Sequence, residues 1–146
     1  MPAGGVGSAD TIAAARFSLT IDGVEIAQFS ELVSITSEAE PDDLAATLLK
    51  KLPGKRNPPT VVLSRGFSRD TQMWAWHEAA RRERSTDAKK TADLTMFDNA
   101  GEPVARYHLE SAWVPKIEIG ALKSGASEVL METVTIACGN LQRVAV

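Results

Sequence analysis

The chain has 146 residues and is poor in the residue types that usually carry catalysis or hold metal ions. It contains one cysteine, two histidines and 5% aromatic residues. A single cysteine excludes an intrachain disulfide and is compatible with a reducing compartment. Cys138 lies in the apolar run VTIACG, so we predict that it fills the core. His77 and His108 are far apart, whereas metal ligands usually include one closely spaced pair. The sequence therefore predicts neither an enzyme nor a metal or cofactor site.

Nucleotide, redox and membrane signatures are also missing. The chain has no G-x-x-x-x-G-K-[ST], no G-x-G-x-x-G and no C-x-x-C. Ser64 does not sit in a G-x-S-x-G turn. No run approaches the roughly 18 apolar residues of a membrane span, and the first residues lack the basic and apolar parts of a secretory signal. We expect a protein without a membrane segment that is made in the cytoplasm.

The charge of the chain is unevenly distributed. The net charge is −3, but residues 1–49 hold eight acidic residues and one basic residue, whereas residues 50–90 hold eleven basic and four acidic residues. Two interpretations stay open: the charges intermix on a solvated surface, or acidic and basic surfaces of neighbouring copies meet head to tail. The stretch KKLPGKR is short and has no interleaved aromatics for base stacking, so nucleic-acid binding is disfavoured.

Hydrophobic periodicity predicts one mainly β domain over residues 12–146, after a flexible segment at residues 1–11. Asp22-Gly23 between two alternating runs is a strong hairpin signal. The stretch DTQMWAWHEAARRER predicts the one helix, capped by Asp70 or Ser68. Four strands are expected after it: TADLTMFD, PVARYHLE, AWVPKIEI and SEVLMETVTIAC. Many short strands with glycine-rich turns favour a small barrel or sandwich. Residues 41–59 are expected to form an extended arm.

One predicted strand presents a polar face. In VSITSEAEPDD the alternation places four polar side chains together, namely Ser34, Thr36, Glu38 and Glu40. Such a face is wet, either on the outside of the protein or along a water-filled channel. The three tryptophans, Trp74, Trp76 and Trp113, are interpreted as core residues, with a subunit interface as the alternative.

The order of several short motifs resembles a known family. From about Phe17 to Val144 the chain contains, in order, FSEL, KLPG, VVLSRG, MWAW, GEPVARY and AWVPK, and it closes with SEVLMETVTIACGNL. This series is similar to the inner tube protein of contractile phage tails and of extracellular contractile injection systems. The family usually has A-W-P-x-K, whereas here the proline is displaced to Pro115, which predicts a bulge.

The resemblance implies a fold and a structural role. It implies two packed antiparallel sheets, similar to a split barrel, with one flanking helix. Hairpins of six copies would join into a β-barrel around a lumen, and the rings would stack into a rigid tube. A contractile sheath would drive this tube through a target envelope, with cargo in the lumen and with baseplate and capping proteins as further partners. The particle would be intracellular, released or part of a virion.

The resemblance also suggests roles for particular residues. An assembly interface for ring stacking and for the arm would comprise Lys50, Lys51, Lys55, Arg56, Arg65, Asp42 and Asp43. The polar strand face from Ser34 to Glu40 would line the lumen. The tryptophan helix would lie outside the barrel, where its exposed face meets the sheath. Two alternatives remain: a secreted ring protein of type VI systems, and a small β-barrel that binds a ligand such as a flavin or a lipid.

Overall fold

The computed structural model describes residues 11–39, 57–82, 88–125 and 127–146, with no side-chain description for residues 123 and 124. Most of the predicted N-terminal segment and arm therefore lies outside the described residues. Eight strands and one α-helix are present in the described part: β1 (Arg16–Ile21), β2 (Val24–Phe29), β3 (Glu31–Thr36), β4 (Thr60–Gly66), α1 (Gln72–Arg82), β5 (Lys90–Phe97), β6 (Pro103–Ser124), β7 (Ser127–Ala137) and β8 (Asn140–Val144). The prediction of a mainly β fold with one helix is confirmed.

The first hairpin forms where the sequence predicts it. Asp22 and Gly23 have φ angles of 53° and 77°. Positive φ at both central residues is the geometry of the type I′ turn, which matches the right-handed twist of the flanking strands. β1 and β2 pair antiparallel on either side of this turn.

All strand pairs in the described residues are antiparallel, in the order β2-β1-β5-β6-β7-β4-β3, with β8 also on β6. The five-stranded sheet consists of β2, β1, β5, the first half of β6 and β8. The four-stranded sheet consists of the second half of β6, then β7, β4 and β3. The two sheets share one core cluster of buried side chains. The predicted pair of packed antiparallel sheets is therefore confirmed.

Two expectations about the C-terminal half are wrong. PVARYHLE and AWVPKIEI are not separate strands, because β6 runs through both as a single strand of 22 residues. Its register shifts between Trp113 and Lys116, which confirms the bulge predicted from the displaced Pro115. A bulge lets a strand continue past a residue that cannot donate a ladder hydrogen bond. β8 was not predicted; it pairs with β6 at Arg106–Glu110.

The core is built from alternate positions of both sheets. Leu19, Leu63, Leu94, Leu109 and Ile136 are fully buried. Burial of each such side chain contributes about 1.5–3 kcal/mol relative to exposure. Helix α1 adds a further layer, since it packs mainly on β6 and contributes buried residues of its own to the same cluster.

Helix α1 begins with a side-chain cap. The Asp70 carboxylate accepts a hydrogen bond of 3.0 Å from the Gln72 backbone N–H, and the Ser68 hydroxyl accepts one of 3.2 Å from Asp70. Both residues expected to cap the helix therefore take part. Arg81 and Arg82 lie in the last turn, where they complement the helix dipole.

β6 passes from one sheet to the other at a backbone kink. Ser111 has a φ of 52°, in the left-handed region that non-glycine residues rarely adopt. Gly139 lies against it: its backbone N–H donates to the Glu110 carbonyl at 2.8 Å, and a Cβ at Gly139 would come within 3.3 Å of the Ser111 Cβ. The kink therefore combines an unusual backbone angle with a close approach that suits glycine.

Substitution of Ser111 tests the cost of this kink. Ser111→Gly should leave the free energy of unfolding unchanged or slightly higher, because relief of the left-handed backbone offsets the greater entropy of glycine in the unfolded chain. Ser111→Val should lower it by about 1–3 kcal/mol, because a β-branched residue is strained at this φ. Urea titration measures both. Gln142→Val at an exposed position of β8 is the control; an equal loss in this control would contradict the role given to the kink.

Candidate assembly surface

The four-stranded sheet turns a hydroxyl-rich face away from the core. Cross-strand register places Ser34 beside Val62, Val62 beside Thr135, and Thr135 beside Lys116. One further row contains Ser64, Thr133 and Glu118, and another contains Thr36 and Thr60. We call this surface the hydroxyl face; it comprises Ser34, Thr36, Thr60, Thr133 and Thr135, with the buried Ser64 among them. It is the kind of surface that water wets.

One pair of opposite charges lies on β6 at the hydroxyl face. Lys116 and Glu118 lie two residues apart on β6, and their charged atoms are 3.3 Å apart. Among the predicted channel residues, Ser34 and Thr36 lie on this face, and Glu38 is exposed just beyond β3. Thr36, Glu38 and Thr60 line one shallow depression. Glu40 lies outside the described residues.

Among the described residues, both outer strands of the four-stranded sheet have a free edge. In the described part of the chain, β3 pairs only with β4, and β6 beyond Ala112 pairs only with β7. An unpaired edge presents a row of backbone N–H and C=O groups that can pair with another chain. A strand of another chain can therefore pair with this sheet at either side.

The β6–β7 hairpin extends beyond the rest of the sheet. β4 ends at Gly66, opposite Met131, while β6 and β7 continue to a turn with Gly125 at φ 63°. Half of the large apolar side chains that are exposed in the described residues lie on or beside this extension: Phe67, Ile119, Leu122, Val129 and Leu130. Clustered exposed apolar residues typically mark an interaction site.

A buried ion pair lies at the root of this hairpin. The Arg65 Nε donates to the Glu132 carboxylate at 2.7 Å, and the two residues are 8% and 5% exposed. The Arg65 Nη1 is 3.6 Å from Asp70, and the guanidinium carbon is 5.1 Å from the centre of the Phe29 ring. The Arg65 Nη2 is buried without a hydrogen-bond partner among the described residues. Arg65, predicted to belong to an assembly interface, is thus held mainly by its own subunit.

The three tryptophans have different environments. Trp76 is buried, and its Nε1 donates to the Ala88 carbonyl at 2.9 Å. Trp74 is 44% exposed and lies edge-on to the His77 ring, with 5.3 Å between centroids. Trp113 is half-buried, with the Lys89 ammonium 5.1 Å from its ring centre. The core interpretation therefore fits Trp76, whereas Trp74 is available on the surface.

Most of the predicted basic arm lies outside the described residues. Six residues of the predicted assembly interface lie outside the described residues, namely Lys50, Lys51, Lys55, Arg56, Asp42 and Asp43. Their roles stay predictions.

The single cysteine of the chain lies in the core. Cys138 is fully buried, and burial raises the pKa of its thiol to about 11, so it stays neutral at pH 7. The predicted core role of this cysteine is confirmed. Within the described ranges, no three His, Cys, Asp or Glu side chains lie close enough to hold a metal ion. The same ranges contain no helix long and apolar enough to cross a membrane.

Free sheet edges, an apolar hairpin and a polar sheet face define a structural subunit of an assembly. The sequence model of the T4-like virus tail tube protein gp19 family matches residues 13–142. The chain belongs to this family and is a structural tail tube protein.

Solved structures share the fold at low sequence identity. A chain of a PVC sheath-tube complex, from an extracellular contractile injection system in the extended state, is 14% identical, with a TM-score of 0.61, and the match covers 100% of this chain and 99% of that one. A chain from the anti-feeding prophage tube-terminating cap is 17% identical, with a TM-score of 0.59 and coverage of 95% and 98%. Hcp1 from Flavobacterium johnsoniae is 12% identical, with a TM-score of 0.54 and coverage of 87% and 93%. No curated protein sequence matches the chain.

Proposed function

We propose that this tail tube protein forms hexameric rings that stack into the hollow inner tube of a contractile injection system or phage tail. The observation that carries this proposal is the four-stranded sheet, which has two free edges and one hydroxyl-rich face. A closed ring of such sheets removes every edge and encloses a polar channel. The same geometry would serve a secreted ring protein, since Hcp1 shares the fold.

The ring closes when β3 of one copy lies beside the second half of β6 of the next copy. These two strands bound the four-stranded sheet on opposite sides, so the contact is heterologous and repeats around a rotation axis. Backbone hydrogen bonds would supply the affinity, and the apolar side chains of the β6–β7 hairpin would supply register. The arm at residues 41–59 would extend the other hairpin of the same sheet toward a neighbour.

The hydroxyl face would line the lumen. Ser34 and Thr36 would lie there with the threonines of β4 and β7, as would Glu38 and Glu40. The charges of Lys116 and Glu118 neutralise each other. Water would therefore bind to this part of β6 through hydrogen bonds and not through a net charge. Such a wall can carry hydrated cargo through the tube without binding it strongly.

The outward partner would be the contractile sheath. Helix α1 presents Trp74, Arg81 and Arg82 to solvent. The exposed Trp74 suits a contact with another protein, whereas Arg81 and Arg82 already form ion pairs with Glu78. Related chains were solved in a sheath-tube complex, a baseplate and a tube-terminating cap, which supports sheath, baseplate and cap proteins as partners.

The direct test is negative-stain electron microscopy of the purified protein, with size-exclusion chromatography and light scattering. Six-fold rings or tubes with a central hole are expected, at a mass of six or more chains. A monomer that carries a bound flavin or lipid would instead support a ligand-binding barrel and contradict the tube.

Ring stacking is expected to depend on the basic arm. Changing Lys55 and Arg56 to glutamate should weaken stacking at low salt. The new negative charges would then face the acidic surface of a copy in the adjacent ring. Tube length in micrographs measures the effect, and Lys89→Glu, outside the arm, is the control. Normal stacking of the arm variant at both low and raised salt would show that these charges are not involved.

A further inference from the structure

Helix α1 covers the start of the free edge of β6. β6 has its last partner in β5 at Ala112, and beyond that residue only β7 pairs with it in the described part of the chain. The Nδ1 of His77 on α1 lies 2.7 Å from the Val114 carbonyl oxygen. A carbonyl only accepts, so this nitrogen carries the proton and donates. Val114 is fully buried. A strand of another chain therefore cannot pair with β6 at Val114.

The next residue interrupts the edge in a second way. Pro115 is exposed but has no backbone N–H to donate. Val114 and Pro115 are also the two residues that the ladder with β7 skips, since the register shifts there. At residues 116–124 every residue has a partner in β7, so the backbone is regular and its other side forms a continuous edge. We call His77 and Pro115 the edge stop.

A strand that adds to this edge has several possible registers. The edge has nine residues at 116–124, whereas β3, the strand proposed to lie beside it, has six. A slip of one residue turns the side chains to the opposite face, so the polar face of the sheet excludes it. A slip of two residues keeps the face and moves the strand by about 7 Å. Side-chain alternation does not exclude this slip, whereas a block at one end of the edge excludes it in one direction.

We infer that the edge stop fixes the limit at which a strand of a neighbouring copy begins to pair with β6. The inference rests on the proposed tube function, and it names the residues that limit the register. A strand that slipped past Lys116 toward Ala112 would meet the covered Val114 and find no donor at Pro115. A closed ring requires the same offset at every interface. His77 therefore acts as a positioning residue, because it withdraws Val114 from the edge without contacting the neighbour's strand.

The position of the neighbouring strand is measured by cryo-electron microscopy of assembled wild-type tubes. Its ladder hydrogen bonds to β6 should lie within residues 116–124, with the His77 Nδ1 still within about 3.2 Å of the Val114 oxygen. Ladder hydrogen bonds at Val114 or Pro115, or a neighbour that does not pair with β6, would overturn the edge stop but not the tube. A wild-type chain that never forms rings or tubes would overturn both.

Removal of the edge stop should affect ring closure. In His77→Ala combined with Pro115→Ala, the Val114 carbonyl is uncovered and the following position regains an N–H. The wild-type register and one slipped by two residues then compete, so at least about half of the rings should be open in negative-stain micrographs. His77→Asn keeps a donor N–H near the position of Nδ1 and should close rings like the wild type.

His108→Ala is the matched control. It removes the other histidine, whose Nδ1 lies 2.7 Å from the Asp93 carboxylate on the five-stranded sheet, and should leave the rings closed even where it lowers stability. Circular dichroism first establishes that each variant is folded. Closed rings at the wild-type level in the folded double variant would overturn the edge stop, as would open rings at the same frequency in His108→Ala. If the double variant does not fold, the wild-type map decides.

Discussion

Substitution of Arg65 by methionine alone is expected to lower the free energy of unfolding by about 3–5 kcal/mol. The Glu132 carboxylate would then remain buried without its partner, and an uncompensated charge in the core is costly. The guanidinium contact with the Phe29 ring would also be lost. Urea titration of the monomer, followed by circular dichroism, measures the change.

The matched control removes both charges. Arg65→Met with Glu132→Leu should recover most of the lost stability, because a buried ion pair can often be replaced by apolar side chains of similar volume. A single variant within about 1 kcal/mol of wild type would show that Glu132 is solvated or protonated without Arg65. A double variant as unstable as the single one would show that packing of the arginine, and not charge, dominates.

Substitution of Trp76 by alanine is expected to cost about 3–5 kcal/mol. Trp76 packs in the core between helix α1 and the sheets, and removal of the indole leaves a cavity. The Ala88 carbonyl, which accepts the Nε1–H hydrogen bond in a buried position, would lose its partner as well. Thermal unfolding of the variant measures this loss.

Two controls separate the contribution of indole packing from that of the hydrogen bond to Ala88. Trp74→Ala, two residues away, removes the same side chain from an exposed position and should change stability by no more than about 0.5 kcal/mol. Trp76→Phe keeps most of the packing but cannot donate to Ala88, so it should cost about 1–3 kcal/mol. Equal losses for Trp74→Ala and Trp76→Ala would contradict the positions described for α1.

Local signals predicted the elements well. Asp22-Gly23 marks a tight turn because both residues tolerate positive φ, and the structure has the turn there. Met73 and Trp76, three residues apart, lie on the buried face of α1, as expected for a helix that packs one side on the core. The strand alternation at Ser34 and Thr36 placed both on one polar face.

Relations between distant strands were not predictable in the same way. Arg65 and Glu132 are 67 positions apart and meet only because β4 and β7 pair in one particular register. Thr133 and Thr135 join the hydroxyl face through the same register, which places them beside Ser64 and Val62 of β4. β8 is short and largely exposed, so its alternation is weak, and it pairs with β6 at Arg106–Glu110, just before Ser111.

The continuity of β6 has a mechanical consequence for a tail tube subunit. One backbone of 22 residues belongs to both sheets, so peptide bonds join the sheets in series. A load applied to one sheet along this strand reaches the other as tension or compression of covalent bonds. Sliding of one sheet past the other requires the simultaneous rupture of hydrogen bonds that β6 makes with β5, β7 or β8. The shared strand thus makes the subunit stiff against shear along β6.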